Sequence, residues 1–294
     1  MTTSPEIASP EVQEIAIITG ASTGIGAATA RELARRGFHV LAGVLRDRDA
    51  DAIRGPGIEP LILDITKPDH IQTLAARVHE DPQGRVVRAL VNNAGIGVNA
   101  PVEVFAIDEW RRLFEVNFFG HIAMTQTLLP ALIRSKGRVV NISSVGGKIA
   151  MATYGPYAGT KFALEAVSDA LRREVEPLGV KVIVVEPGAV TTEMLGRVGI
   201  TGERITSGMT SEQHGRYATL MHSIISQAQA AIPRAVPAEE AGRVIADAIT
   251  SKRPRTRYTV GREAALLPLL TMLPDRMLDR ILAAALRSHL PKRR

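Results

Sequence analysis

The chain has 294 residues, 45% of them hydrophobic, and 36 Lys and Arg against 30 Asp and Glu give a formal net charge of +6. It holds no cysteine, which excludes disulfides, thiolate metal sites and cysteine nucleophiles, and its seven histidines show no metal-ligand spacing. From Thr250 onward eleven Lys and Arg stand against only Glu263, Asp275 and Asp279, so the basicity belongs to one end and argues against a nucleic-acid surface spread over the fold.

Residues 1–13, with Ser4, Pro5, Ser9 and Pro10 and neither a basic start nor an apolar run, read as a flexible tail and not a signal peptide, which places the protein in the cytoplasm. Ile15-Ala16-Ile17-Ile18-Thr19 reads as a short buried strand. It runs into Gly20-Ala21-Ser22-Thr23-Gly24-Ile25-Gly26 and a helical stretch over 27–36. Strand, glycine-rich turn and helix is the arrangement in which backbone amides at a helix start receive a pyrophosphate, here with Gly-x-x-x-Gly-x-Gly spacing. A second strand is predicted over 38–45 and a third over 58–63, ending at Asp64-Ile65, followed by helical spacing over 69–78. A fourth strand over 89–91 stops at Asn92-Asn93-Ala94-Gly95, small and polar residues where a ligand crevice forms at a strand's carboxyl end.

An amphipathic helix is predicted over 110–133, and a fifth strand over 138–142 delivers Ser143 and Ser144. Tyr157 and Lys161, four apart, share one face if the segment from 157 to 176 is helical. The ammonium beside the phenol then favours phenolate and moves an otherwise poor acid or base toward neutral pH. Ser144, thirteen residues before Tyr157, is placed to hold a substrate oxygen while Tyr157 exchanges a proton with it. A sixth strand over 181–186 ends at Pro187-Gly188, and strands alternating with long helices require a parallel sheet covered on both faces. The fold class is therefore α/β, a doubly wound parallel sheet of Rossmann type, in one domain over 14–261.

From 192 to 237 the pattern loosens at Gly196, Gly199, Gly202 and Gly208 while Met194, Leu195 and Met209 supply apolar surface, which reads as a lid over a binding cleft. A helix over 238–249 and an edge strand over 257–260 follow. The extension over 262–294 alternates apolar clusters with Arg276, Arg280 and Arg287, and Pro268 interrupts its longest apolar run well short of the roughly 20 residues a membrane span needs. Three readings remain open: a helix packed on the fold or lining the substrate entrance, a subunit contact, or a basic amphipathic surface for membranes.

Together, Thr19 to Gly26, Asn92-Asn93-Ala94-Gly95, Asn117 within Glu115 to Gly120, Ser144, Tyr157-x-x-x-Lys161 and Pro187 to Thr192 resemble the short-chain dehydrogenase/reductases. The resemblance implies an NAD(P)-dependent oxidoreductase interconverting an alcohol and a ketone or aldehyde. Ser144 would orient the substrate oxygen and Tyr157 would be the acid/base. Lys161 would lower the Tyr157 pKa and bind the nicotinamide ribose, and Asn117 would keep a water in a proton relay. It places cofactor contacts on Gly20, Ser22, Thr23, Gly24, Ile25, Gly26, Asp64, Ile65, Asn92, Ala94, Gly95, Tyr157, Lys161, Pro187, Gly188, Val190 and Thr192. Val44 stands where NAD-preferring relatives place an acid and Arg46 is nearby, which leans the cofactor to NADP. The run Gly37 to Leu45 looks like the retinol dehydrogenase and 17β-hydroxysteroid dehydrogenase branch, implying a lipophilic substrate; a 3-oxoacyl-type reductase of a smaller polar substrate and a non-catalytic dinucleotide sensor are the alternatives. The helices carrying Asn117 and Tyr157 are those through which relatives pair, implying a homodimer or homotetramer.

Overall fold

The computed structural model describes residues 13–261, 264 and 270–289. All of the expected tail except Gln13, and residues 262, 263, 265–269 and 290–294 of the C-terminal extension, lie outside them. The chain begins with β1 (Ile15–Ile18), whose four apolar residues are fully buried, as a central parallel strand covered on both faces demands. After it come α1 (Gly24–Arg35), β2 (His39–Val44), α2 (Asp47–Ile53), β3 (Ile58–Ile62), α3 (Pro68–His79) and β4 (Val87–Asn92). Then α4 (Ile107–Phe114) runs through a π-helical turn (Glu115–Phe119) into α5 (Gly120–Ser135), and β5 (Arg138–Ile142), α6 (Gly155–Val175) and β6 (Lys181–Pro187) complete the core. Three helices, α7 (Glu193–Gly196), α8 (Val198–Ser207) and α9 (Ser211–Ala231), precede α10 (Ala238–Thr250), β7 (Arg257–Val260) and α11 (Asp275–Arg287).

The seven strands form one sheet in the order β3-β2-β1-β4-β5-β6-β7, and every pairing is parallel. β1 is flanked by β2 on one side and β4 on the other, so the chain reverses its direction of travel there and a crevice opens beyond the carboxyl ends of β1 and β4. Side chains alternate across the sheet: Ala16 and Ile18 join Leu33 of α1 and Ile245 and Ile249 of α10 on one face, while Ile15 and Ile17 join Leu128 and Leu132 of α5 on the other. α1 and α10 approach backbone to backbone because Gly242 has no Cβ, which would stand 2.8 Å from the Ala28 carbonyl carbon.

Ile107–Ser135 is continuous over 29 residues and, by length and composition alone, long and apolar enough to cross a membrane. Leu113, Met124, Leu128 and Leu132 of this helix are buried in the fold, so its apolar face is already used.

The structure departs from the sequence reading over residues 192–237. The expected loosening is instead three helices; α9 alone spans 21 residues and begins with a capping box in which Thr210 accepts from the Gln213 amide while the Gln213 side chain accepts from the Thr210 amide. Gly202 is accommodated within α8 because Ile225 of α9 packs where its Cβ would lie. The short helix α2, with Asp47 and Asp49 in its first turn, was not anticipated.

Candidate active site

The turn after β1 is shaped by backbone needs. Gly20 (φ 64°) and Gly24 (φ 56°) occupy left-handed backbone, and a Cβ on Gly20 would meet Ala94 Cα at 2.7 Å. This turn is stitched to the one after β4: the Thr19 hydroxyl accepts from the amides of Asn93 and Ala94, both at 2.9 Å, and Asn93 Nδ2 donates to the carbonyls of Thr19 and Gly20. At the start of α1, Thr23 makes no side-chain cap and the first turn carries no acid, so the free amides of Ile25 and its neighbours face outward beside Ser22. Thr192 lies across from Gly24, 3.0 Å from where a Cβ would be, and a groove of about 580 Å³ lined by Ser22, Thr23, Gly24 and Thr192 opens there. A bare helix N-terminus, a close backbone approach and a groove fit a dinucleotide pyrophosphate.

Other expected contacts are placed differently. Asn92 is fully buried, and its Nδ2 donates to Thr125 Oγ1 (3.0 Å) and Asn141 Oδ1 (2.9 Å), so its side chain ties β4 to α5 and β5 and is not offered to the crevice. Asp64 turns its carboxylate back on the Thr66 amide and hydroxyl, Ile65 is buried against Gly120, and Gly95 sits beside Asn117 Oδ1. At the end of β6, Pro187 is buried, the Gly188 amide donates to the Val260 carbonyl at 3.0 Å, and buried Val190 bridges to Val236. Arg46, at the start of α2, makes a two-pronged ion pair with Asp49, Nε at 2.7 Å and a terminal nitrogen at 3.2 Å.

Asn117 sits in the π turn. Its Oδ1 accepts from the Ile96 amide (2.9 Å) while Nδ2 donates to the Ile96 carbonyl (2.8 Å) and Thr160 Oγ1 (3.2 Å). The side chain is thus a clamp between the β4 loop, the π turn and α6, so it is not the group that would hold a relay water. A π turn closes its ring one residue later, here from the Gly120 amide to the Glu115 carbonyl, which loosens neighbouring carbonyls; such turns concentrate at functional sites.

Ser144 and Tyr157 both flank Gly146: the Ser144 hydroxyl accepts from the Gly146 amide at 3.0 Å and donates to the Pro187 carbonyl at 3.5 Å, and the Tyr157 ring lies 3.6 Å from where a Gly146 Cβ would stand. Ser143, by contrast, is buried against Gly147, and its hydroxyl has no hydrogen-bond partner among the described residues. Lys161 lies 5.7 Å from the centre of the Tyr157 ring and donates through Nζ to the Ile142 carbonyl at 2.8 Å. The electrostatics correct the sequence expectation. Burial pushes the Tyr157 phenol up to about 12, and the Ser144 hydrogen bond pulls only part of the way back. Burial also lowers Lys161 to about 8, with Glu165 opposing. In the protein alone the lysine therefore does not depress the phenol.

His121, one turn beyond Asn117, was missed as a scattered histidine. It is almost fully buried, its Nε2 lies 2.7 Å from the Ala94 carbonyl, and burial, with Lys161 adding to it, pushes its pKa down to about 3. The unfolded ring takes up a proton near 6.5 that the folded ring refuses, so stability should fall as pH drops from 6.5 toward 3, by on the order of 4 kcal/mol. Urea unfolding midpoints across that window measure the effect, and His121→Gln should flatten the slope.

Beyond Gly95 lies an apolar cluster in which Phe105 and Leu113 are buried and Ile96, Val98, Trp110 and Ile205 of α8 pack against them. Met194 of α7 rests on Gly97, and Glu103 pairs with Arg216 and accepts from the Tyr217 hydroxyl of α9. Helices α7 to α9 thus reach across to the loop after β4. The Glu103 contacts carry no sequence signal, since 113 residues separate Glu103 from Arg216.

A dinucleotide-type glycine turn together with a serine after β5 and a tyrosine and lysine on α6 defines a nicotinamide-dependent oxidoreductase acting on alcohol and carbonyl groups. A family model described as short chain dehydrogenase matches residues 14–203, and the chain belongs to that family. Among its relatives, retinol dehydrogenase 5 of Mus musculus is 35% identical over 283 residues, covering 93% of this chain and 89% of that protein. The NADPH-dependent 3-dehydrocapnine reductase of Ornithobacterium rhinotracheale is 31% identical over 275 residues, covering 90% and 95%. The crystal structure of a short-chain dehydrogenase from Streptomyces avermitilis superposes with a TM-score of 0.74 at 29% identity over 94% of this chain and 96% of that one.

Proposed function

We propose that the protein interconverts a lipophilic alcohol and its ketone or aldehyde, with NADP(H) as hydride partner and Tyr157 as the proton-exchanging group. The observation that carries this reading is the convergence of the Ser144 hydroxyl and the Tyr157 ring on Gly146 with Lys161 against the ring. Ser144 holds the substrate oxygen, Tyr157 takes or returns its proton, and Lys161 supplies the positive charge that stabilises phenolate once the crevice is filled. The bound nicotinamide supplies the hydride chemistry. Ser22, Thr23, Gly24 and the α1 amides hold its pyrophosphate, and Thr192 closes on it from the far side. The apolar cluster between the loop after β4 and α8, in which Ile96, Val98, Trp110 and Ile205 stay partly exposed, supports a lipophilic substrate, with α7 to α9 as its lid.

A steady-state screen of steroid, retinoid and short aliphatic alcohols and carbonyls with both NADH and NADPH tests this. Turnover of the apolar compounds at a kcat/KM at least about tenfold above the short polar ones is the expected result, about 1.4 kcal/mol of apolar contact in the transition state. Preference for the short polar set overturns the substrate class; tight dinucleotide binding without any turnover would indicate a sensor.

NADP preference is supported by the NADPH dependence in the name of the 3-dehydrocapnine reductase relative and by Arg46 at the start of α2. Arg46 must exchange its Asp49 partner for a 2′-phosphate, an exchange between two exposed charge-assisted pairs. Arg46→Ala should weaken NADPH binding roughly tenfold and leave NADH within about twofold, measured by fluorescence titration.

α11 supports peripheral membrane contact. None of its residues is buried; Met277 and Ile281 are 50% and 41% exposed and Met272 just before it 82%, beside Arg276, Arg280 and Arg287. The full-length protein should float with liposomes containing anionic lipid and the chain ending at residue 261 should not. The exposed Phe119 and Phe162, on the helices of Asn117 and Tyr157, support a homodimer or homotetramer built through them.

A further inference from the structure

Helices α7 to α9 form a flap with one laced end. The chain leaves the body at Val190 and returns at Val236, and the two crossings lie side by side: the Thr191 amide donates to the Val236 carbonyl at 2.9 Å and the Val236 amide to the Ala189 carbonyl at 3.0 Å. Between the crossings the flap holds itself together, α8 against α9, with Ile225 packed where a Gly202 Cβ would stand. A segment that leaves and rejoins the body at adjacent backbone positions can swing about them, so its contacts on the far side decide how far it swings.

On the far side stands the loop after β4, a fixed jaw. Asn117 holds both backbone groups of Ile96, the Ala100 amide donates to the Thr153 carbonyl at 2.8 Å, and the Val104 and Phe105 amides both donate to the Pro101 carbonyl, closing a turn that carries Glu103. Met194 of α7 lies on Gly97 of this loop, its Sδ 3.0 Å from where a Cβ would be, and Ile205 of α8 packs on the cluster of Phe105 and Leu113. Both contacts are apolar and without direction, so they tolerate sliding. A third is polar and does not. Glu103 Oε2 accepts from the Tyr217 hydroxyl at 2.7 Å while Oε1 accepts from the Arg216 guanidinium, so one carboxylate grips two consecutive residues of α9. Two donors on one charged acceptor fix distance and direction together. The Arg216 and Glu103 side chains are 50% and 41% exposed, which puts this clasp at the outer edge of the contact.

We propose that Glu103 is a specificity-determining residue: by clasping Arg216 and Tyr217 it sets how far the flap parts from the loop after β4, and so how wide a lipophilic substrate enters between them. The inference rests on the proposed reading of this apolar cluster as the place that receives substrate. A linear chain needs little parting, whereas a fused-ring substrate needs the flap to swing and the clasp to break. The partners of Glu103 are Arg216 and Tyr217, away from the Tyr157 ring and the turn after β1, so its loss should spare the chemical step and cofactor binding.

The chain's single tryptophan reports the gap, because Trp110 stands edge-on to Phe105, ring centres 5.8 Å apart, in the cluster that Ile205 covers. Acrylamide quenching of Trp110 in the full-length protein is the first test and is independent of turnover. Glu103→Ala should raise the quenching constant about twofold, the modest change an exposed pair commands. Glu103→Gln, which still accepts from both partners, should recover most of the closure. Glu212→Ala, which removes the other carboxylate, 4.0 Å from Arg216, should match wild type. Equal quenching in wild type and Glu103→Ala, or an equal rise in Glu212→Ala, overturns the clasp. The second test compares kcat/KM for a fused-ring alcohol and a linear long-chain alcohol. Glu103→Ala should shift the ratio toward the fused ring about fivefold, chiefly through KM, with cofactor affinity within about twofold; an unshifted ratio overturns the specificity role. Preference for short polar compounds would overturn the substrate reading, and the specificity role with it, while leaving the quenching differences in place.

Discussion

Tyr157→Phe is expected to cut kcat by at least about 10² to 10⁴ while leaving dinucleotide affinity within about twofold. The hydroxyl is the one atom removed. The Tyr157 ring packs beside Gly146 with Ser144, whereas the groups assigned to the pyrophosphate lie on the turn after β1, at the start of α1 and on Thr192. The magnitude follows from the charge balance. A phenol held near 12 is a poorer base at neutral pH than a free one, so the site depends on Lys161 charge and Ser144 hydrogen bonding to bring the phenolate within reach. The variant keeps the ring packed beside Gly146, so the fold should survive intact. Single-turnover kinetics with a panel alcohol, alongside fluorescence titration of the cofactor, separates the two effects. Activity within tenfold of wild type would exclude Tyr157 as the proton-exchanging group.

The second large effect should come from one methyl group. In Gly26→Ala the new Cβ would stand 2.3 Å from the Gly20 carbonyl oxygen and 2.5 Å from Asn93 Nδ2, distances no ordinary contact allows. The oxygen belongs to backbone that cannot swing aside, and the amide nitrogen makes two of the four hydrogen bonds that stitch the β1 turn to the β4 turn. Relief therefore means parting the two loops that form the crevice. A loss of about 3 kcal/mol in unfolding free energy and at least about a hundredfold in dinucleotide affinity are expected, from chemical denaturation and titration respectively. The control is Gly215→Ala in α9, where nothing lies within 4 Å of the added carbon; removing a glycine from a helix interior there should gain about 1 kcal/mol. Similar outcomes for the two variants would show that helix propensity, not the close approach, governs position 26.

Much of this architecture was legible before any coordinates. β1, β5 and β6 are near-continuous apolar runs because parallel strands are buried on both faces, and short runs of that kind separated by helical spacing leave few topologies open. The glycine turn was legible because its conformational demands are written in residue type. Direction was not. Nothing in Asn92 or Asn117 says whether an amide faces ligand or core, and here both are consumed by the fold, one by Thr125 and Asn141, the other by Ile96 and Thr160. The Tyr157 shift was misjudged because spacing reports a neighbouring cation but not the desolvation that outweighs it. Over 192–237 the glycines read as breakers, whereas the Thr210 to Gln213 capping pattern marks a helix start.

The π turn at 115–119 carries a consequence of its own. Because an over-wide turn takes up one surplus residue locally, the regular helix on either side keeps its phase, with Leu113 before it and Met124, Leu128 and Leu132 after it all seated in the interior. The scaffold therefore has no use for that residue. What the surplus residue does is let Asn117 hold the backbone of the strand-four loop at Ile96 against α6, so core packing and loop anchoring on this long helix are set by different residues, and drift in one need not disturb the other.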